Sequence, residues 1–420
     1  MNATETKPAR PAGNKPAKPA RKPWVRPYHG WVRAVAAALL GPFARWRYGV
    51  DTVPFAQQNG RQYLILMNHQ TPFDQFFVGL SFQGAVYYMA TEDIFSLGWV
   101  SDLIRFLVAP IPIKKQTTDV QAVRTCLRVA KEGGTIAIAP EGNRTYSGRT
   151  EYMNPAIAGL AHKLGLPIAL YRIEGGYGVS PRWSTVLRKG RMKAYVSRVI
   201  EPEEYQNLTA EQLSAMIAEG LYVNEACVDR EYHHRQLAEY MERAIYVCPH
   251  CGLSTFESHD DLLSCKSCGR QTRYLPTKQL QGVNWDCPFE FVAQWYDYQN
   301  DFVNGLDLTA LTDEPLYREQ ANLSQVLLYK RKLPLRKNAA IALYGDRVVV
   351  DEGTADALVL PFAEVTAASV LGRNKLNLYH GGQVYQFKGS VRFNALKYVN
   401  LYYRYQNMTK GDGNGKFLGL

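Results

Sequence analysis

Between residues 47 and about 200, short apolar runs alternate with stretches whose apolar positions recur every three or four residues. YLILM (63–67), TIAIAP (135–140), PIALYRI (167–173) and MKAYVSRVI (192–200) have the length and the aliphatic, β-branched or aromatic content of strands. Asp119 reads as the N-cap of a helix with Val120, Val123, Leu127 and Ala130 on one face, stopped at Gly133-Gly134. Residues 209–246 also read as helical. Strands separated by helices predict an α/β fold with a mainly parallel or mixed sheet. Beyond about residue 275 the pattern shortens. AIALYGDRVVVD, ALVLPFAEVTAASVL, KLNLYHGG and QVYQFKG are strand-like runs broken by turn signals such as Gly345-Asp346 and Gly381-Gly382. VRFNALKYVNLYYRYQN then returns to helical spacing through Phe393, Leu396, Val399, Tyr402 and Tyr403. This half is therefore expected to be mainly β, closed by a helix.

Length and charge add a membrane-facing element to this picture. At 420 residues, two or three domains are expected. The net charge of +11 is concentrated at one end: residues 1–34 hold eight Lys/Arg against one Glu. Residues 1–23, rich in Pro, Ala and Lys, bury too little to order themselves and are expected to be a disordered basic tail; 411–420 read as a flexible C-terminus. Residues 24–46 contain an eleven-residue uncharged run, Ala34–Ala44, with Pro42 inside it. A membrane-spanning helix needs about 20 apolar residues. The flanking Trp24, Tyr28, Trp31 and Trp46, interleaved with arginines, suit a segment lying at the headgroup level of an anionic membrane surface. A surface helix packed on the domain is the plain alternative.

Two local constellations carry chemistry. MNHQTPFDQF (67–76) places His69 just past a strand end and Asp74 five residues later, at the start of a helix with Thr71 and Pro72 in capping positions. A carboxylate held near a helix N-terminus can orient an imidazole through one ring nitrogen, leaving the other as a general base. As a bare pattern it is equally a helix cap and a turn histidine. Sixty-six residues after Asp74, at the end of the strand TIAIAP, comes PEGNR (140–144). Here Gly142 permits a tight turn, and Arg144 offers a planar fork suited to phosphate. By itself the Glu141/Arg144 pair would be an ordinary surface ion pair. Both patterns, in this order, are much less expected by chance.

The paired motifs resemble those of the glycerolipid acyltransferase family, the 1-acylglycerol-3-phosphate O-acyltransferases, over roughly residues 47–200. The resemblance implies transfer of an acyl group from acyl-CoA or acyl-carrier protein to a hydroxyl of a lysophospholipid. It implies His69 as the base, Asp74 as its orienting partner, and Glu141, Gly142 and Arg144 as positioning the glycerol phosphate. Where that family has an arginine after an Ile-Pro stretch, this chain has Lys114 and Lys115. Asn143 stands where Thr is common, and Leu170 where a later proline is frequent. The C-terminal meander resembles a PH-like or GRAM-like barrel.

Cys248-x2-Cys251 and Cys265-x2-Cys268, thirteen residues apart, have zinc-ribbon spacing, with a glycine after each pair. Four protein ligands leave no open position, so a zinc there is expected to be structural. His250 and His259 are surplus to it. Cys126 fits an apolar helix face, and Cys227 and Cys287 lack partners at ligand spacing. Four such cysteines argue for a reducing compartment, and hence for a cytoplasmic protein peripheral or monotopic at the membrane rather than a secreted one. The expected organisation is an acyltransferase domain over 47–246, a ribbon over 247–275 and a mainly-β module over 276–410. The appended modules are expected to tether the domain or recruit a protein partner. Two readings compete: a zinc-ribbon nucleic-acid binder, disfavoured because 248–270 has no net basic face, and a non-catalytic lipid-binding scaffold.

Overall fold

A computed structural model describes residues 22–91, 94–95, 98–113, 119–327 and 331–411. The first unit is a seven-stranded mixed sheet: β1 (Val50–Thr52), β2 (Leu64–Met67), β3 (Val86–Thr91), β4 (Ile111–Ile113), β5 (Thr135–Ile138), β6 (Ile168–Glu174) and β7 (Met192–Ile200). Their order across the sheet is β1-β7-β6-β2-β5-β3-β4, and β6–β7 is the antiparallel pair. Helices cover both faces, which is why the central strands are apolar at every position rather than at alternate ones. On one side, Leu64, Leu66, Ile136, Ile168 and Leu170 meet α4 (Val120–Lys131), α5 (Ala156–Leu164) and α8 (Ala210–Leu221). On the other, Ile65, Met67, Ala137, Ala169 and Tyr171 meet α1 (Pro27–Tyr48) and α2 (Asp74–Ser81). The short helices α3 (Trp99–Val108), α6 (Gly176–Val179) and α7 (Pro202–Tyr205) complete this unit.

Next comes a four-cysteine unit. A two-stranded ribbon, β8 (Val247–Cys248) and β9 (Gly252–Leu253), precedes an antiparallel sheet of β10 (Phe256–His259), β11 (Leu262–Cys265), β12 (Gln271–Tyr274) and β13 (Leu280–Gly282). Helix α9 (Val292–Asn304) leads into the C-terminal strands: β14 (Tyr317–Val326), β15 (Leu333–Leu343), β16 (Arg347–Val350), β17 (Leu358–Pro361), β18 (Val365–Leu371), β19 (Lys375–His380) and β20 (Gln383–Gly389). They form one antiparallel sheet ordered β17-β16-β15-β14-β20-β19-β18, closed by α10 (Leu396–Lys410). The meander of strands capped by a helix is thus present, with β14 added to the strands legible in sequence.

The later units are not loosely attached. One continuous core joins Tyr146 and Trp183 of the first unit to Tyr246, Tyr274, Trp295 and the interior of the C-terminal sheet. Arg392, just before α10, pairs with the nearly buried Glu239 and Glu242 at 2.6 Å each and donates to Ser258 O. Arg149 pairs with Asp297 on α9.

Three expectations need correction. Within the 209–246 stretch, α-helix is confined to 210–221, with a single 3-10 turn at Met241–Arg243. Residues 223–246 instead cross the first unit, held by Val223–Thr150 backbone bonds, by the Lys189–His233 bridge and by Glu225, which accepts from Gly175 and Gly178. Tertiary bonds replace the helical ladder there. Along α4 the buried stripe is Ala122, Thr125, Cys126 and Val129, while Val120 and Leu127 face solvent; small side chains let the helix lie close to the sheet, and the larger ones flank it. Finally, the bounds of the 24–46 segment shift: its helix begins at Pro27 and runs 22 residues to Tyr48 despite Pro42. Among the described residues, no helix is long and apolar enough to cross a membrane.

Candidate active site

The two motif loops meet because their strands are neighbours. β2 and β5 run parallel with Leu66 opposite Ile138, so both loops leave the same carboxyl edge of the sheet. His69 lies beyond β2 and Glu141 beyond β5, and the His69 N–H donates to Glu141 Oε1 at 2.7 Å. Thr145 N donates back to His69 O at 3.4 Å. Asn68 fixes the other flank: its amide exchanges hydrogen bonds with both backbone groups of Ile173 on β6.

His69 Nδ1 stands 2.7 Å from Asp74 Oδ2, with the Asp74 side chain 0% exposed and that of His69 24% exposed. Asp74 also accepts from Gln70 N (2.7 Å), Thr71 N (2.9 Å) and Thr71 Oγ1 (2.6 Å). The acid at the start of α2 reaches back over the turn that precedes the helix and, in doing so, holds the imidazole. An ionised carboxylate only accepts, so Nδ1 carries the proton and Nε2 keeps its lone pair. An imidazole held in this way can serve as a general base.

Glu141 spends one oxygen on the His69 backbone, which makes it a brace of the histidine loop. Burial pushes its carboxyl up to about 8, opposed by the His69 N–H and reinforced by Asp74 and Glu151. Gly142 sits at φ 68° and its turn is closed by Gly142 N donating to Ala139 O; any other residue would be strained there. Arg144 Nη1 is buried without a partner among the described residues. Burial, then the neighbouring Arg182 and Arg373, pull its guanidinium down to about 9. Lys114 and Lys115 lie outside the described residues. The residues that sequence reasoning passed over are Asn68, visible as the first letter of the histidine motif, and Arg182 and Arg373, which carry no local signal.

The cysteine unit fits a metal. The sulfurs of Cys248, Cys251, Cys265 and Cys268 all lie within 4.8 Å of one another, and Cys248 and Cys268 are 3.8 Å apart. Four sulfurs at about 2.3 Å around one zinc would be spaced by about that distance. Gly252 (φ 73°) and Gly269 (φ 71°) supply the left-handed turn after each pair. Cys126 is buried on its helix, and Cys227 and Cys287 stand apart from the cluster.

The acyltransferase family model matches residues 51–172. Over 136 residues the chain is 21% identical to a 1-acyl-sn-glycerol-3-phosphate acyltransferase of Bacillus subtilis (strain 168), covering 32% of this chain and 65% of that protein. Over 205 residues it is 22% identical to the chloroplastic 1-acyl-sn-glycerol-3-phosphate acyltransferase LPAT1 of Arabidopsis thaliana, covering 47% and 56%. The chain therefore spans between about half and two thirds of the length of these relatives. A solved structure, the 1-acyl-sn-glycerophosphate acyltransferase PlsC of Thermotoga maritima, aligns over 46% of this chain and 78% of that one, with a TM-score of 0.39 and 20% identity. Residues 51–172, which carry both motif loops at one sheet edge, match the acyltransferase family.

Proposed function

We propose that this chain is an O-acyltransferase that moves a fatty acyl group from an acyl thioester, acyl-CoA or acyl-carrier protein, to a free hydroxyl of a lysophospholipid of the 1-acylglycerol-3-phosphate type. The observation that carries the reading is the His69–Asp74 pair, 2.7 Å apart, with its acid fully buried and its second ring nitrogen uncommitted to that contact. Two relatives named for this reaction support it. His69 Nε2 takes the hydroxyl proton as the acceptor oxygen bonds to the thioester carbonyl carbon. The tetrahedral intermediate then collapses, the carbon–sulfur bond breaks, and the imidazolium returns its proton to the departing thiolate. Asp74 stabilises the imidazolium throughout. General-base help of this kind is worth about 10²–10⁴ in rate.

Glu141 and Gly142 shape the turn that presents Arg144 to the acceptor's phosphate. The assignment of Lys114 and Lys115 to the same phosphate rests on sequence alone. Zinc held by Cys248, Cys251, Cys265 and Cys268 would be structural.

A membrane-surface location follows from the same reading. Trp31, Val35, Leu39 and Trp46 share one face of α1, with Trp31, Leu39 and Trp46 69%, 70% and 80% exposed. Trp99 and Phe106 are exposed on α3, and Phe106 stacks on Tyr28 of α1 at 5.1 Å. Arg45 and Arg47 are exposed in the last turn beside this apolar face, a combination suited to an anionic lipid interface where the acceptor resides. The test is purified full-length protein incubated with acyl-CoA or acyl-carrier protein and a panel of lysophospholipids, with products read by mass spectrometry. Failure to acylate any of these acceptors would refute the reading.

A further inference from the structure

Gly372-Arg373-Asn374 is the turn between β18 and β19, closed by pairing of Leu371 with Lys375. Asn374 Nδ2 pins this turn by donating to Gly389 O and Ser390 O at 3.3 and 2.9 Å. A second anchor reaches the acyltransferase domain. The buried Arg182 donates to Arg144 O (2.9 Å), Asn143 Oδ1 (3.1 Å) and Val370 O (3.4 Å), and stacks 4.2 Å above the Tyr146 ring. One guanidinium thus ties the PEGNR loop to the base of a hairpin more than 200 residues further along the chain.

The clamp holds Val370, three residues before Arg373, against the PEGNR loop. Tyr48, at the end of α1, rests 4.9 Å from the Phe73 ring in the histidine motif and feels the charges of Arg373, Arg144 and Asp74 together. Arg182 has spent its donors on carbonyl and amide oxygens, but Arg144 Nη1 and Arg373 Nε are buried with no partner among the described residues. The Arg144 guanidinium feels the charge of Arg373, and each fork has an unused donor. Like charges brought together with unmet donors are costly unless an anion joins them. A phosphate monoester carries both the charge and the acceptor oxygens to meet two forks.

We propose that Arg373 is an acceptor-binding residue, completing with Arg144 a two-guanidinium site for the phosphate monoester of the lysophospholipid, so that the C-terminal β-module contributes directly to the acyl-transfer site. This rests on the acyl-transfer reading above. It assigns the module a role beyond tethering, since one of the two guanidinium forks comes from its β18–β19 turn.

The test compares full-length wild type with Arg373→Ala and Arg373→Lys, varying acceptor and donor separately. Arg373→Ala should raise the acceptor KM at least about tenfold, the 1.4 kcal/mol of one charge-assisted hydrogen bond. Its kcat and donor KM should hold, and Arg373→Lys, which keeps the charge and loses the fork, should fall between. With a monoacylglycerol acceptor, which lacks the phosphate, wild type and Arg373→Ala should behave alike. An unchanged acceptor KM, a change in donor KM alone, or an equal loss on the phosphate-free acceptor would overturn the assignment while leaving acyl transfer standing. Binding of glycerol 3-phosphate by calorimetry needs no turnover. Weaker binding by Arg373→Ala supports the site even if the wild type transfers no acyl group, and equal binding by both removes it.

Discussion

Replacing Asp74 by asparagine separates orientation from charge at a nearly constant shape. The carboxylate accepts four donors: His69 Nδ1 and Gln70 N on Oδ2, and Thr71 N and Thr71 Oγ1 on Oδ1. An amide retains only one oxygen. If that oxygen takes the Oδ2 place, the imidazole stays oriented, but the new NH2 is pressed against the Thr71 N–H. If the amide flips, NH2 faces His69 Nδ1, which must then accept, and the proton moves to Nε2 where a base is needed. Either way one buried donor is left unmatched, at about 1–3 kcal/mol. Loss of the charge-assisted bonds brings the expected destabilisation to about 2–4 kcal/mol. The catalytic loss is larger, because the imidazolium loses its counter-charge in both rotamers and its useful tautomer in one: kcat should fall about 10²–10⁴. Urea denaturation gives the stability change, and initial rates of product formation by mass spectrometry give kcat, with protein concentration corrected to the folded fraction. A folded Asp74→Asn variant within about threefold of wild type, under 1 kcal/mol of barrier, would refute the orienting role.

Other perturbations probe separate parts of the account. Burial holds the Glu141 carboxyl at about 8, against 4.5 in the unfolded chain, so between those values the folded protein keeps a proton that the unfolded chain has released. Stability should therefore fall as pH rises from about 4.5 to about 8. Glu141→Gln, whose amide oxygen still accepts the His69 N–H, should flatten the urea midpoint over that window; an unchanged slope would show that Glu141 does not carry it. For the cysteine cluster, elemental analysis should find one zinc per chain, and Cys265→Ser, which removes a buried sulfur, should lower the metal content and the melting temperature together. Metal-free protein of wild-type stability would count against a structural zinc. Replacing Trp31, Leu39 and Trp46 with serine should weaken sedimentation with anionic phospholipid vesicles without lowering kcat on a dispersed short-chain acceptor. Unaltered vesicle binding would leave the exposed face of α1 without that role.

What could be read in the sequence was what depends on neighbours along the chain. The His69–Asp74 pair is a five-residue turn, and its geometry follows from a strand end and an acid at a helix start. Thr71, read as the N-cap, instead accepts from Phe73 N ahead of the helix, and Phe73 takes the cap position. The second loop was legible for the same reason, and adjacency of two parallel strands then brought the loops together. The cysteine knuckles and the strand meander likewise rest on local spacing and turn glycines. Residues 223–246 misled because their apolar positions mimic a helix, whereas their hydrogen bonds go to Thr150, Lys189 and Gly175 on other elements. The α4 stripe was misplaced because hydrophobicity alone favours Val120 and Leu127 over the small residues that allow close approach. Arg182 and Arg373 were invisible: nothing near either one announces that a hairpin from the last module folds back onto the PEGNR loop. Long-range docking of this kind is set by shape and buried hydrogen bonds, and these have no period.

The most direct test of the central claim is the acyl-transfer rate of His69→Ala with 1-acylglycerol-3-phosphate and an acyl thioester, measured beside wild type on protein shown to be folded. The account predicts a product from the wild type and a rate at least about 10²-fold lower without the imidazole. A His69→Ala variant that turns over as fast as wild type would contradict it.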